Sequence, residues 1–299
     1  MNNDFIHGVI PPLITPTDMH ERVEEHALKR VVDHVIEGGV HGILALGSNG
    51  EFFSLAAEEH ERAILLTVKH AAGRVPVYMG IGAIATRECV RLARLAELHG
   101  AQAVTILPPM FIGPNEEELY QHFKTVADAI SLPLLIYNNP DRLQVNISPR
   151  LLERLAEVPN IVGVKDSSGD LALTAEYIMR TRSKGFKVLA GRDLLIFATL
   201  AYGGVGCVAT TANMVPELVV EIYDKYRAGD LDAAREAQYR LAPLRLAFNF
   251  GSFPAMTKDA MNLMGFEVGE LIKPITSCSP ERLQALRDIL KAAGAKVVK

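Results

Sequence analysis

Cysteine is scarce in this chain of 299 residues: Cys89, Cys207 and Cys278 are scattered and odd in number. Such a set builds no disulfide framework and offers no metal-ligand spacing. Positive charge is not in excess. The formal net charge is −4 and the isoelectric point ≈ 6.2, which leaves no clustered basic patch of the kind that grips nucleic acid. No apolar run reaches the roughly 20 residues that cross a bilayer. The opening Met1-Asn2-Asn3-Asp4 lacks the charged start and apolar core of a signal peptide. The expected compartment is therefore a reducing cytoplasm, with no membrane and no nucleic acid among the partners. Cys89 falls in a helical pattern and Cys207 in a buried strand pattern, so both read as core thiols.

What the chain has is apolar residues, 49% of the total, enough to bury a sizeable core. They come as eight short continuous runs: Gly8–Ile14, Gly42–Leu46, Val75–Ile81, Ala103–Leu107, Leu132–Tyr137, Ile161–Val164, Lys187–Ala190 and Gly204–Thr210. Continuous runs of this length suit strands covered on both faces. Amphipathic patterns at Glu25–Glu37, Ala56–Ala71, Thr86–Leu98, Glu116–Ile130 and Leu171–Arg182 lie between them. Strand-to-strand spacing is on the order of 30 residues, the size of a βα unit.

Eight such units in series predict an α/β fold, a (β/α)8 TIM barrel. A doubly wound open sheet is the alternative, but it wants a Gly-x-Gly-x-x-Gly turn after the first strand. Here that strand runs into Pro11-Pro12-Leu13-Ile14-Thr15-Pro16. Beyond the eighth run the pattern is helical: Pro216–Ala228, Leu231–Leu246, Pro254–Met264 and Pro280–Ala293. The division expected is a barrel over residues 1–225 and a C-terminal helical extension over 226–299.

Barrel active sites form at the C-terminal ends of the strands, and several strand ends carry unusual residues. The sixth run leads into Lys165-Asp166-Ser167-Ser168-Gly169-Asp170. A lysine at the mouth of a buried strand is a candidate nucleophile, because low dielectric disfavours an ammonium and a neutral amine forms Schiff bases with carbonyls. A lysine leaving a strand end for solvent is the plainer reading of that residue alone. Tyr137 closes the fifth run one βα repeat earlier, which puts it beside Lys165 at similar height. Its phenol could shuttle protons, or simply be an amphipathic ring with a wet hydroxyl. The second run ends Gly47-Ser48-Asn49-Gly50-Glu51, a turn whose backbone N–H groups could hold a carboxylate or which is an ordinary βα turn. The glycines of Gly203-Gly204-Val205-Gly206 permit close backbone approach. They also suit a phosphate site, the rival enzyme class.

In combination, Gly-Ser-Asn-Gly-Glu, Tyr-Asn-x-Pro and Gly-Val-Lys-Asp-Ser resemble the dihydrodipicolinate synthase / N-acetylneuraminate lyase family of pyruvate-dependent class I aldolases, over nearly the whole chain. The resemblance implies an imine between Lys165 and the C2 carbonyl of pyruvate or another 2-oxo acid. It makes Tyr137 the proton carrier, puts the pyruvyl carboxylate on Ser48 and Asn49, and gives Val208 a backbone contact to pyruvate. It implies no cofactor, and a homotetramer built as a dimer of dimers.

The second substrate divides the family. Arg142, soon after Tyr-Asn-x-Pro, stands where synthases bind the carboxylate of aspartate semialdehyde, and its fork suits one. Those synthases, however, carry two threonines where this chain has Ser48 and Asn49. They also carry a tyrosine, donated across the dimer interface, where it has Phe111, and a phenyl ring carries no proton. Asp193 alone matches the sugar contacts of the sialate lyases. The expected reaction is therefore cleavage or formation of a C–C bond between pyruvate and an aldehyde, with a 2-keto-3-deoxy sugar acid or 4-hydroxy-2-oxoglutarate as substrate. The alternative is 4-hydroxy-tetrahydrodipicolinate synthesis from pyruvate and aspartate semialdehyde. A catalytically impaired 2-oxo-acid-binding protein is the non-enzymatic alternative.

Overall fold

The computed structural model describes residues 3–298. Eight parallel strands form one sheet: β1 Gly8–Val9, β2 Ile43–Ala45, β3 Val77–Gly80, β4 Ala103–Ile106, β5 Leu134–Asn138, β6 Ile161–Asp166, β7 Lys187–Ala190 and β8 Gly206–Cys207. Their order is β1-β8-β7-β6-β5-β4-β3-β2. A parallel bridge between Pro12 and Leu44 closes the ring: Leu13 N–H donates to Leu44 O at 2.9 Å, and Leu44 N–H to Pro11 O at 3.0 Å. The expected barrel is present.

Helices lie between and after the strands: α1 Glu25–Glu37, α2 Ala57–Ala71, α3 Thr86–Leu98, α4 Glu116–Asp128, α5 Pro140–Leu143, α6 Pro149–Leu155, α7 Leu171–Thr181, α8 Ile196–Ala201, α9 Pro216–Arg227, α10 Leu231–Leu246, α11 Ala255–Leu263 and α12 Pro280–Ala292. Their starts are chemically marked. The Glu24 carboxylate accepts from His26 and Ala27 N–H to open α1. Asn115 and Glu118 form a capping box on α4. Among the described residues no helix is long and apolar enough to cross a membrane.

The first strand is much shorter than its apolar run because Pro11 and Pro12 have no N–H to give to a ladder. At β8 the extended stretch likewise stops early, and Thr210–Asn213 turn into a 3-10 helix. The expected division at 225/226 falls within the last turn of α9. Cys89, Cys207 and Cys278 are all buried and unpaired. Burial pushes the Cys89 thiol up to about 11.

One buried residue from each strand or its end fills the barrel interior: Ile10, Leu44, Tyr78, Ala103, Leu135, Val162, Leu189 and Val208. Val162 and Lys165 are an odd number of positions apart, so simple alternation would send them to opposite faces. The register between β5 and β6 shifts at Leu134/Leu135, which face Ile161 and Gly163, so Val162 is the extra residue. That bulge reverses the phase of β6. Lys165 then pairs with Tyr137 and both turn into the barrel mouth.

Candidate active site

Lys165, Tyr137, Asn49 and Arg142 line one cavity of ≈ 250 Å³ at the C-terminal ends of the strands. Lys165 is 5% exposed. Its Nζ sits over the Tyr137 ring, 3.8 Å from the centroid. Asn139 Nδ2 donates to Tyr137 Oη at 2.9 Å. Burial pushes the Tyr137 phenol up, but the positive charge of Lys165 and hydrogen bonding from Ser167, Lys165 and Asn139 outweigh it. The phenol ends below the ordinary tyrosine value.

The polar residues around Lys165 mostly build the frame. Asp166, next along β6, points away from the mouth. It accepts from Asn138 Nδ2 at 3.1 Å, Ser168 N–H at 3.0 Å and Thr174 Oγ1 at 2.5 Å. Asp170 caps α7 through Ala172 and Leu173 N–H. Ser167 Oγ donates to Gly191 O at 3.1 Å. A Cβ on Gly191 would come within 2.1 Å of that hydroxyl, so β7 turns close beside β6 only because residue 191 is glycine. Asp193 is spent on Thr211, from whose N–H it accepts at 2.8 Å and whose Oγ1 donates at 2.7 Å. It fixes the turn after β8 while also lining the cavity.

Ser48 and Val208 do not reach the cavity lining among the described residues. Ser48 opens the 3-10 turn Ser48–Gly50. The side chain of Val208 belongs to the barrel interior, and its N–H is taken by Ala190 O at 2.8 Å. Only the carbonyl of Val208 remains to face a ligand. Asn49 is held at both ends: Nδ2 donates to Thr210 Oγ1 at 2.8 Å, and Oδ1 accepts from Thr257 Oγ1 at 3.4 Å. Arg142 stacks its guanidinium on the Phe253 ring, 3.9 Å from the centroid.

The C-terminal helices therefore complete the site. Phe248 and Phe253 are wall residues that no local pattern marks. Lys258 Nζ donates to Glu51 Oε2 at 2.8 Å and to Thr17 Oγ1 at 3.1 Å. The two charges are 2% and 1% exposed, and Glu51 Oε1 also accepts from Ile272 N–H at 2.9 Å. This buried pair ties α11 to the Ser48-Asn49 turn. Lys258→Met leaves the Glu51 carboxylate uncompensated and is expected to cost about 3–5 kcal/mol, read as a lower denaturant midpoint. The added change Glu51→Gln should restore part of it; a loss below about 1 kcal/mol for the single variant would contradict this role.

Two features the sequence offered to other readings lie elsewhere. Gly203 and Gly204 line a separate cavity with His7 and Tyr223, on the N-terminal side of β8. A Cβ on Gly206 would come within 2.1 Å of Gly8 O, so that glycine serves the contact of β8 with β1. Phosphate sites in barrels use the other face. Phe111 is 97% exposed, with φ +70°, and takes no part in the cavity.

With a lysine and a tyrosine packed together at the C-terminal mouth of its (β/α)8 barrel, the chain is a class I, Schiff-base lyase by its family. The chain belongs to the dihydrodipicolinate synthetase family, whose model matches residues 5–293. A 4-hydroxy-tetrahydrodipicolinate synthase of Methanopyrus kandleri is 38% identical over 97% of this chain and 97% of its own. The dihydrodipicolinate synthase of Aquifex aeolicus superposes with a TM-score of 0.95 at 34% identity, over 98% of this chain and 100% of that one. A prophage protein of the dihydrodipicolinic acid synthase family from E. coli K12, solved in complex with pyruvate, gives a TM-score of 0.93 at 28% identity, over 97% and 99%.

Proposed function

We propose that this enzyme condenses pyruvate with aspartate semialdehyde, the activity its relatives' names carry. The observation that bears most weight is the Lys165–Tyr137 contact in a cavity whose rim holds Arg142. The Lys165 nitrogen attacks the 2-oxo carbon of pyruvate. The carbinolamine hydroxyl takes up a proton and leaves as water, and a cationic imine remains. That imine draws electrons from C3, which gives up a proton to become an enamine. The enamine carbon bonds to the aldehyde carbon, and the aldehyde oxygen takes up a proton. Tyr137 carries protons in these steps. The backbone N–H groups of the Ser48-Asn49 turn hold the pyruvyl carboxylate, the first N–H groups of such a turn having no acceptor within it. The Val208 carbonyl faces pyruvate from the eighth strand. Arg142 takes the carboxylate of the aldehyde.

Cleavage of 4-hydroxy-2-oxoglutarate or a 2-keto-3-deoxy sugar acid is the second reading, which the sequence alone favoured. Asn49 and Phe111, in place of two hydroxyl-bearing residues of the synthases, support it, whereas Ser48 keeps a hydroxyl. The relatives' names favour condensation. Parallel assays of condensation and of pyruvate release decide; faster release from 4-hydroxy-2-oxoglutarate would overturn the proposal. In the same assays Arg142→Ala is expected to lower kcat/KM about 10- to 100-fold for acidic aldehydes and little for neutral ones. Equal losses for both would remove Arg142 from this role.

A further inference from the structure

Three arginines line the cavity, and they are not equivalent. Arg192, after β7, is spent on the protein: its Nε donates to Ser167 O at 2.8 Å, and its Nη2 pairs with the Asp141 carboxylate. Arg142 rests on Phe253. Arg245, in the last turn of α10, rests on the Phe248 ring at 4.6 Å from the centroid. Among the described residues it donates no hydrogen bond to a protein acceptor and has no carboxylate at ion-pair distance. The nearby Asp193 has its oxygens committed to Thr210 and Thr211. Arg245 is nonetheless half-buried.

A guanidinium offers five donors in a fixed fork. Held on an aromatic ring in the cavity wall and with no protein acceptor among the described residues, this fork is free to take a ligand carboxylate through two parallel N–H donors. The charge inventory agrees. Among the described residues, Arg142, Arg192 and Arg245 line this cavity with two carboxylates, Asp141 and Asp193, and the cationic imine proposed at Lys165 adds a further positive charge. One excess charge matches the pyruvyl carboxylate; the other asks for an anion on the second substrate.

We propose that Arg245 is a specificity-determining residue. With Arg142 it clamps the distal carboxylate of the aldehyde, so the C-terminal helix α10 sets the preference for acidic over neutral partners. The inference rests on the proposed imine chemistry at Lys165.

The test compares succinic semialdehyde with butyraldehyde, which match in length and differ in the terminal carboxylate, as partners for pyruvate. In Arg245→Met the kcat/KM ratio of acidic to neutral partner is expected to fall about 10- to 100-fold. Arg245→Lys keeps the charge but loses the fork, so it should fall less and guards against a folding defect in the Met variant. If both arginines hold one carboxylate, Arg142→Ala and Arg245→Met together should cost less than the product of the single effects. An unchanged ratio in Arg245→Met, or equal losses for both aldehydes, would overturn the proposal. Borohydride trapping of pyruvate on the unaltered enzyme is run alongside. If no Lys165 adduct forms there, the imine reading itself fails and takes this inference with it.

Discussion

Lys165→Ala is expected to abolish borohydride capture of pyruvate and to lower kcat/KM by roughly 10⁴-fold or more. The size follows from the role. Without the amine no imine forms, and without the imine nothing stabilises the developing charge at C3. The remaining cavity can still bind pyruvate, so the loss should fall on kcat more than on KM. Stability should hold. Lys165 is 5% exposed, and its removal takes a polar group out of a buried site; it vacates the face of the Tyr137 ring and one hydrogen bond to a hydroxyl that Asn139 Nδ2 still reaches. Intact-protein and peptide mass spectrometry after reductive trapping measures this directly. An adduct on any other side chain, or one that persists in Lys165→Ala, would sink the mechanism.

The parts of this site that were legible in the sequence are those carried by short contiguous segments. Continuous apolar runs announced strands buried on both faces, and the Val164-Lys165 junction and Tyr137 stood at two strand ends one repeat apart. Their neighbouring placement followed from parallel βα geometry, and the β5–β6 register bears it out. What escaped was whatever depends on contacts remote along the chain. Arg245 and Phe253 reach the cavity only because α10 and the segment after it fold back over the barrel mouth, and no periodicity encodes that. The Glu51–Lys258 pair is of the same kind, with its members 207 positions apart. Strand lengths were overestimated at β1 because hydrophobicity was counted without the missing proline donors. The bulge at Leu134/Leu135 was invisible too, although it turns Lys165 into the mouth. Ser48 was expected at the cavity surface, yet its segment turns so that Asn49 lines the wall.

Tyr137→Phe isolates the phenolic hydroxyl, because the phenyl ring keeps its place beneath Lys165 and retains the face on which the amine rests, 3.8 Å away. The hydroxyl's partners Asn139, Ser167 and Lys165 lose it, at the edge of a cavity open to water. The lysine should therefore still capture pyruvate, more slowly, while kcat falls by about 10²- to 10⁴-fold. The pH dependence separates proton transfer from positioning. The Tyr137 phenol lies below its ordinary value despite burial, because Lys165 and the donors around it favour the phenolate. As pH rises, a proton-donating Tyr137 loses its proton earlier than a free tyrosine would. The native rate should then decline on the alkaline side at a pH below the usual tyrosine range, and that limb should vanish in Tyr137→Phe. With Phe111 at 97% exposure and no hydroxyl of its own to offer, Tyr137 has no aromatic substitute from that position within this chain, so the loss should not be masked. A variant with native kcat, or with the alkaline limb intact, would show that the hydroxyl moves no proton and that the tyrosine only supports the amine.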